Sequence, residues 1–236
     1  MPDFGAIIAA GGAGLRFGSL KQKAIIAGKT ALQWSIDALR PHCVLIVIAA
    51  PPDYLEQFES YRAGPVIVAA GGATRVESIV NAFAKIPMDI PYVLVHDAVR
   101  PAVSDDLIDR VKAATIAHGA AIPAIPITDT IKNLNRPLAE EAGGKAAAIV
   151  KATLDRRTLV AAQTPQGFRC DWYREIIAHT IDAALPPAPL TDDAALLEKA
   201  GKTVAVVAGD SRNLKLTTPD DLFHLQRILS ESRPAS

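Results

Sequence analysis

The sequence predicts an α/β fold in which helices cover both faces of a doubly wound, mostly parallel (Rossmann-like) sheet. Short apolar runs bounded by Gly, Pro or Asp recur at residues 5–10, 44–49, 65–69, 92–95, 120–125 and 204–208. Segments with helical periodicity lie at residues 30–39, 74–84, 105–117, 171–184, 194–200 and 219–229. Such alternation favours a parallel sheet that binds its ligands outside the carboxyl ends of the strands.

The length and composition fit one domain that spans residues 1–236. Half of the 236 residues are apolar, which is enough to form a sizeable core. One stretch, at about residues 128–150, breaks the alternation, because it carries Asn-Arg-Pro and Gly143-Gly144 and has no clear helical period. We interpret it as an extended arm or a hairpin.

The charge balance limits the class of partner. The chain has 25 basic and 25 acidic residues, so no net field holds nucleic acid or an anionic membrane. The expected partner is a small anion bound by a local cluster. The two cysteines lie far apart without a metal-binding motif, and neither a signal peptide nor a membrane-spanning run is evident, so a cytoplasmic location is expected.

The first apolar run leads into a glycine-rich loop. Its small residues let backbone N–H groups approach a triphosphate, and two cations follow that can neutralise the charge. The loop residues are Ala9, Ala10, Gly11, Gly12, Ala13 and Gly14, and the cations are Arg16 and Lys21. The plainer interpretation is an ordinary tight turn between strand and helix.

Two better-known glycine motifs are excluded by their spacing. A dinucleotide fingerprint that begins at Gly12 needs glycine at position 17, where Phe17 stands. A phosphate-binding P-loop that ends at Gly28-Lys29-Thr30 needs glycine at position 23, where Lys23 stands. Thr30 is instead predicted to cap a helix.

Two further loops follow predicted strands. Gly72 and Ser78 flank the start of a helix and can contact a base or ribose, while Thr74 and Glu77 are spaced as a capping box. Asp97 follows the fourth predicted strand, where its carboxylate can hold a magnesium-bound triphosphate or an acceptor hydroxyl, or can simply cap a helix. For the neighbouring His96 a packed, hydrogen-bonded side chain is expected.

Polar clusters in the second half of the chain supply Thr hydroxyls together with Arg156 and Lys215, a set suited to a second phosphate. In order along the chain, the motifs are Ala-Ala-Gly…Arg…Lys-Gln, Gly-Gly-x-x-Arg-x-x-Ser, Val-His-Asp-Ala-x-Arg-Pro, Asp-Thr-x-Lys, Asp-Arg, Thr-Pro-Gln, Thr-Asp-Asp-Ala and Asn-x-Lys-x-Thr-x-Pro-Asp-Asp. This order resembles the 2-C-methyl-D-erythritol 4-phosphate cytidylyltransferases over nearly the whole chain.

The resemblance implies a nucleotidyltransferase-type sheet and a CTP-dependent, Mg²⁺-dependent reaction with methylerythritol 4-phosphate. It also implies a homodimer formed through the β-arm. The implied catalytic residues are Arg16, Lys21, Arg156 and Lys215. The implied CTP-binding residues are Ala9, Ala10, Gly11, Gly12, Ala13, Gly14, Arg16, Lys21, Gly72, Ser78, Asp97 and Ala98. The implied acceptor-binding residues are Asp97, Arg156, Thr164, Thr191 and Lys215, with Arg100 and Thr130 reaching over from the neighbouring subunit.

Three assignments have alternatives: what holds the metal, which lysine binds phosphate, and which acceptor is used. Mg²⁺ is expected to be held mostly by the triphosphate, with Asp97 as the candidate protein ligand. Lys23 competes with Lys21 for the phosphate role, because the segment after the glycine loop departs from the usual pattern. A ribitol 5-phosphate cytidylyltransferase shares most of these motifs, and a catalytically silent nucleotide-binding subunit is the candidate outside enzymes.

Overall fold

The structure is a computed structural model that describes residues 2–11, 20–136, 147–182 and 192–231. Its strands are β1 (Phe4–Ala9), β2 (Ile25–Ile26), β3 (Lys29–Thr30), β4 (Leu45–Ala50), β5 (Val66–Ala70), β6 (Tyr92–Asp97), β7 (Ala120–Pro126), β8 (Lys132–Leu134), β9 (Val150–Thr153), β10 (Val160–Ala162), β11 (Gln166–Arg169) and β12 (Ala205–Ala208). Its α-helices are α1 (Ala31–Leu39), α2 (Glu56–Glu59), α3 (Arg75–Phe83), α4 (Asp105–His118), α5 (Cys170–Asp182), α6 (Ala194–Lys199) and α7 (Pro219–Glu231). All six strands and six helices predicted from periodicity are present, with ends that agree within two residues. The exception is the predicted end of the helix at 171–184, because residues 183 and 184 lie outside the described part of the chain.

The central sheet has eight strands in the order β10-β7-β11-β6-β1-β4-β5, with β12 also beside β7. β1, β4, β5 and β6 are mutually parallel where they pair, whereas β11 runs antiparallel between β6 and β7. The chain proceeds from β1 to one edge through β4 and β5, and then returns to the other side of β1 as β6. The direction of winding therefore reverses between β1 and β6, which is where open α/β sheets bind ligands.

Two apolar layers enclose this sheet. Alternate residues of β4 point to opposite faces, so Ile46 and Ile48 pack with α1 and α4, while Val47 and Ala49 pack with α3, α5 and α6. A third cluster places Leu225 and Leu229 of α7 against the β2–β3 hairpin. The strand ends are consequently held in fixed positions from both sides.

Helix caps behave largely as the sequence predicts. The Thr30 hydroxyl accepts a hydrogen bond from the Gln33 N–H at 3.0 Å and so caps α1. At the other end of a helix, Gly119 adopts a φ of 86° and ends α4 in the left-handed conformation. A side chain at this glycine would also collide with Trp172.

The segment predicted as an arm or hairpin contains β8 and β9, which pair antiparallel with Lys132 opposite Thr153. The two strands form a hairpin-like pair, and the second strand extends beyond residue 150. Residues 137–146 lie outside the described part of the chain. The predicted role of the hairpin in dimerisation stays a prediction. Within the described ranges, no helix combines the length and the apolar character needed to cross a bilayer.

Candidate active site

A pocket of about 440 Å³ opens at the carboxyl ends of β1, β5 and β6. This is the edge that the parallel topology predicts for ligand binding. The residues lining it are Ala9, Ala10, Gly11, Lys21, Gln22, Gly72, Ala73, Thr74, Arg75, Ser78, Asp97, Ala98, Val99, Lys215, Leu216 and Thr217. Segments that are distant in sequence but were predicted to act together therefore meet at one place.

The start of the glycine loop is anchored by the sheet and by a buried amide. The Ala98 N–H donates to the Ala9 carbonyl at 3.1 Å, and Gln22 Nε2 donates to the Ala10 carbonyl at 2.7 Å. Gln22 is only 2% exposed, so its buried side chain links the residues that follow the loop to Ala10, where the loop begins. The predicted site residues Gly12, Ala13, Gly14 and Arg16 lie outside the described residues.

The structure distinguishes the two lysines that follow the loop. Lys21 lines the pocket, and its Nζ donates to the Thr217 carbonyl at 2.7 Å. Lys23 instead donates to Gln57 Oε1 at 2.8 Å. Lys21 is therefore the lysine that faces the pocket.

Gly72 and Ser78 also line the pocket. Ser78 Oγ accepts a hydrogen bond from the Gly72 N–H at 3.0 Å and donates to the Thr74 carbonyl at 2.8 Å. Thr74 caps α3 by accepting from the Glu77 N–H at 3.1 Å, as the capping box predicts. The Glu77 carboxylate accepts from the Ala73 N–H at 2.8 Å, one residue before the position that a standard capping box uses.

Three cationic side chains surround the carboxylate of Asp97. Its nearest oxygen lies 2.9 Å from Lys215 Nζ, and Arg75 and Arg100 each approach it to 3.6 Å. Burial by itself opposes ionisation of this group, but Lys215, Arg75 and Arg100 outweigh that effect and lower the Asp97 pKa to about 2. Asp97 therefore carries its negative charge throughout the physiological range, and the helix that follows it, α4, is capped by Ser104 instead.

The donor set bears on how a magnesium ion fits this pocket. Asp97 is the carboxylate among the lining residues, and no group of three or more His, Cys, Asp or Glu side chains in the described ranges is arranged to hold a metal. Mg²⁺ commonly binds through one or two carboxylates plus substrate phosphates and water. A single carboxylate beside cations suited to phosphate is compatible with an ion held mainly by the triphosphate.

Arg100 points into its own chain. Its Nη1 donates to the Asn213 carbonyl at 2.9 Å, and only 12% of its side chain is exposed. Burial lowers its pKa, while Asp97 acts in the opposite direction. To complete the site of a neighbouring subunit, as the resemblance implies, this side chain would have to exchange these contacts for new ones.

Thr164 and His96 are buried next to Asp97 and are hydrogen-bonded to each other. Thr164 Oγ1 accepts from the Asp97 N–H at 3.0 Å and lies 3.0 Å from His96 Nδ1. His96 Nε2 lies 3.2 Å from the Arg100 carbonyl, which can only accept, so Nε2 carries the ring proton and Nδ1 accepts from Thr164. A contact between Thr164 and an acceptor phosphate would have to replace that last hydrogen bond.

The other predicted acceptor residues are dispersed. Lys215 lines the pocket and is about half-exposed. Arg156 is exposed and donates to the Thr128 carbonyl, and Thr130 is exposed on the same arm, so neither residue lines the pocket of this chain. The expected role of Thr130 in a neighbouring subunit stays a prediction. Thr191 lies outside the described residues.

Sequence reasoning missed one cation of the pocket, Arg75. It lies between Gly72 and Ser78, which were assigned to the site, and it bridges Asp97 and Asp193. Its position inside the Gly-Gly-x-x-Arg-x-x-Ser motif was visible in the sequence. Asp193, its buried partner, was visible only as part of Thr-Asp-Asp-Ala.

A family model described as "IspD: 2-C-methyl-D-erythritol 4-phosphate cytidylyltransferase" matches residues 4–231 of the chain. The chain belongs to this family. Its members are CTP-dependent nucleotidyltransferases, in agreement with the resemblance seen in the motifs.

Curated relatives agree with this membership. The chain is 36% identical to the 2-C-methyl-D-erythritol 4-phosphate cytidylyltransferase of Frankia casuarinae, over 99% of this chain and 84% of that protein. It is also 42% identical to a bifunctional enzyme IspD/IspF of Nitrobacter hamburgensis, over 95% of this chain. The match covers only 55% of that protein, so the chain spans about half the length of this bifunctional relative.

Solved structures of the family share the fold. The IspD of Francisella tularensis aligns with a TM-score of 0.80 at 29% identity, over 96% of this chain and 99% of that one. The 2-C-methyl-D-erythritol 4-phosphate cytidylyltransferase of Thermus thermophilus aligns with a TM-score of 0.78 at 30% identity, over 98% of this chain and 100% of that one. The predicted fold class is thereby confirmed.

Proposed function

We propose that this chain transfers the CMP group of CTP to 2-C-methyl-D-erythritol 4-phosphate, giving 4-diphosphocytidyl-2-C-methyl-D-erythritol and pyrophosphate. The observation that carries the proposal is the pocket at the carboxyl ends of β1 and β6, which is lined by Lys21, Arg75 and Lys215 together with the backbone of Ala10, Gly11 and Gly72. Local positive charge beside exposed backbone N–H groups is suited to a triphosphate. The family and the named relatives supply the identity of the two substrates.

In the proposed reaction, an oxygen of the acceptor phosphate attacks the α-phosphorus of CTP, and the bond to pyrophosphate breaks. The attacking oxygen is already ionised, so no side chain has to remove a proton. Asp97 is suited to positioning cations rather than to acting as a base, because its low pKa makes it a weak one. Lys21 and Arg16 would stabilise charge on the α-phosphate and the leaving group, and Lys215 would orient the acceptor. Arg156 lies outside the pocket of this chain and would have to leave the Thr128 carbonyl to assist Lys215.

A divalent cation such as Mg²⁺ is part of the proposal. Asp97 would contact it, and the triphosphate would supply most of the remaining ligands. When bound, the ion neutralises phosphate charge as it does in other phosphoryl and nucleotidyl transfers.

We also propose that the active form is a cytoplasmic homodimer joined through the β8–β9 hairpin. Apolar side chains on and beside this hairpin face solvent in the single chain: Ile149 is 67% exposed, Val150 is 51% exposed and Leu154 is 40% exposed. Exposed apolar side chains clustered in this way are typical of an interface. Both cysteines are free and buried, which fits a reducing compartment.

The test is pyrophosphate release with CTP and Mg²⁺, measured side by side with methylerythritol 4-phosphate and ribitol 5-phosphate as acceptors. We expect turnover with methylerythritol 4-phosphate and none above background with ribitol 5-phosphate. Turnover with ribitol 5-phosphate alone would instead assign the chain to that activity. Silence with both acceptors, at a nucleotide concentration shown to saturate binding, would indicate a nucleotide-binding subunit without catalysis.

A further inference from the structure

Arg75 joins two carboxylates that come from different parts of the chain. Its Nη1 lies 2.5 Å from Asp193 Oδ2, and its Nη2 lies 3.6 Å from Asp97 Oδ1. Burial opposes the positive charge, but the carboxylates of Asp193 and Asp97 outweigh burial and raise the Arg75 pKa. The guanidinium is therefore a fixed charge held at both ends.

Asp193 is itself rigidly held. Its side chain is 1% exposed, and its second oxygen accepts a hydrogen bond from the Tyr173 hydroxyl at 2.8 Å. The Tyr173 ring is fully buried, stacking on Phe168 and meeting the edge of Phe83. A buried carboxylate with both oxygens engaged defines where its partner cation lies.

The segment around Asp193 is also tied to the sheet. Gln166 Nε2 donates to Asp192 Oδ2 at 3.0 Å, and Gln166 Oε1 accepts from the Ala194 N–H at 3.1 Å. Gln166 lies two residues beyond Thr164, which accepts from the Asp97 N–H. A closed ring of contacts thus runs from Arg75 through Asp97, β11 and the start of α6 back to Arg75.

We propose that Arg75 is a positioning residue that locks the nucleotide side of the pocket to the acceptor side. Arg75 begins α3, directly after the loop of Gly72. Asp193 lies two positions after Thr191, to which the resemblance implies a role in acceptor binding. The proposal rests on the proposed function, since it concerns the alignment of the same two substrates. The Asp193 link fixes Arg75, and Arg75 in turn restrains the carboxylate of Asp97.

The geometry explains why this position requires arginine. A planar guanidinium can engage two carboxylates at once through separate N–H groups, whereas a lysine ammonium is a single point charge. A lysine at position 75 would keep the charge but could not hold both partners in place. Asparagine at position 193 would keep the shape but remove the charge that fixes Arg75.

The experiment compares Arg75→Lys and Asp193→Asn with the wild-type enzyme by steady-state kinetics and by calorimetric titration with CTP alone. We expect each variant to lower kcat about ten-fold and to raise the KM for the acceptor, because alignment is lost. The Kd for CTP should change less than about three-fold, since Gly72 and Ser78 remain in place. Arg62→Lys and Asp171→Asn are the matched controls, because each lies in an exposed ion pair away from the pocket, and they should leave kcat unchanged.

The double variant provides the decisive comparison. If the two residues act through one link, Arg75→Lys/Asp193→Asn should fall within about three-fold of the more damaged single variant. Multiplicative losses, a loss of CTP affinity as large as the loss of kcat, or unchanged kinetics in both single variants would each overturn the proposal. Thermal unfolding curves establish that the variants compared are folded.

A failure of the proposed function remains distinguishable from a failure of this inference. If the wild-type protein turns over no acceptor, the amide hydrogen exchange of Ala194 and Ala195 replaces kinetics as the readout. Arg75→Lys should then speed exchange at both amides, because the start of α6 loses its tie to α3. Unchanged exchange would overturn the link without reference to any substrate.

Discussion

Two lysines stand two residues apart after the glycine loop, and the local backbone sends them to different surroundings. Residues 21–23 form a single turn of 3₁₀-helix, in which neighbouring side chains lie about 120° apart. Lys21 reaches across to Thr217 at the pocket, whereas Lys23 reaches Gln57 outside it. Equal charge and near-equal sequence position therefore do not give equal roles.

We predict that Lys21→Gln lowers kcat/KM and that the loss corresponds to about 2–4 kcal/mol of transition-state stabilisation. Lys23→Gln should change kcat/KM less than about two-fold. The reason is that only the first substitution removes a positive charge from the pocket. The measurement is pyrophosphate release under conditions of low substrate. An equal loss in the two variants would mean that the loop rearranges when nucleotide binds.

His96 contributes to the pH dependence of stability through burial. Burial lowers its pKa from 6.5 to about 4, against the opposing effect of the neighbouring Asp97 charge. The unfolded chain therefore binds a proton that the folded chain does not bind in this interval. The contribution of His96 is fully present above about pH 6.5 and is lost as the pH falls toward about 4.

We predict that the free energy of unfolding falls by on the order of 3 kcal/mol between about pH 7 and pH 4 because of this one group. Urea unfolding of the wild type and of His96→Gln across this range isolates the effect, since the variant lacks the titrating ring. His224→Gln, at an exposed position, should follow the wild-type curve. Parallel curves for the wild type and His96→Gln would contradict the prediction.

At the scale of elements, the sequence predicted those strands and helices whose apolar pattern spans enough residues to show a period. β1, β4, β5, β6 and β7 carry continuous apolar runs because both faces of the sheet are covered. The pattern did not reveal β2, β3, β10 and β11, which have two to four residues each. The antiparallel insertion of β11 depends on pairing with β6 and β7, and no local signal encodes it.

In the candidate site, too, local sequence patterns predicted some residues and missed others. The loops after β1, β5 and β6 were predicted to meet because parallel topology brings their carboxyl ends to one edge. Arg75 was missed because its importance depends on Asp193, which lies 118 residues further along the chain. Local motifs reveal which residues are suited to bind phosphate, but they do not reveal which buried carboxylate fixes a cation.

At the scale of the whole molecule, the β8–β9 hairpin stands apart from the two apolar layers. Every residue of β9 is exposed, and Ile149 just before it is 67% exposed. A two-stranded hairpin has little stability on its own in water. Pairing with a second copy of the chain would cover these apolar side chains.

We predict that the wild-type chain sediments as a dimer and that Ile149→Glu shifts it toward the monomer, because a charge would be buried in the proposed interface. Sedimentation velocity at several protein concentrations is the measurement. Met88→Glu is the matched control, since Met88 is also a large exposed apolar residue, at 77%, but lies outside the hairpin. If Thr130 completes the neighbouring pocket, the monomeric variant should lose kcat/KM in proportion to its loss of dimer, and added protein should restore it. A monomeric wild type with full activity would show instead that each chain forms its acceptor site alone.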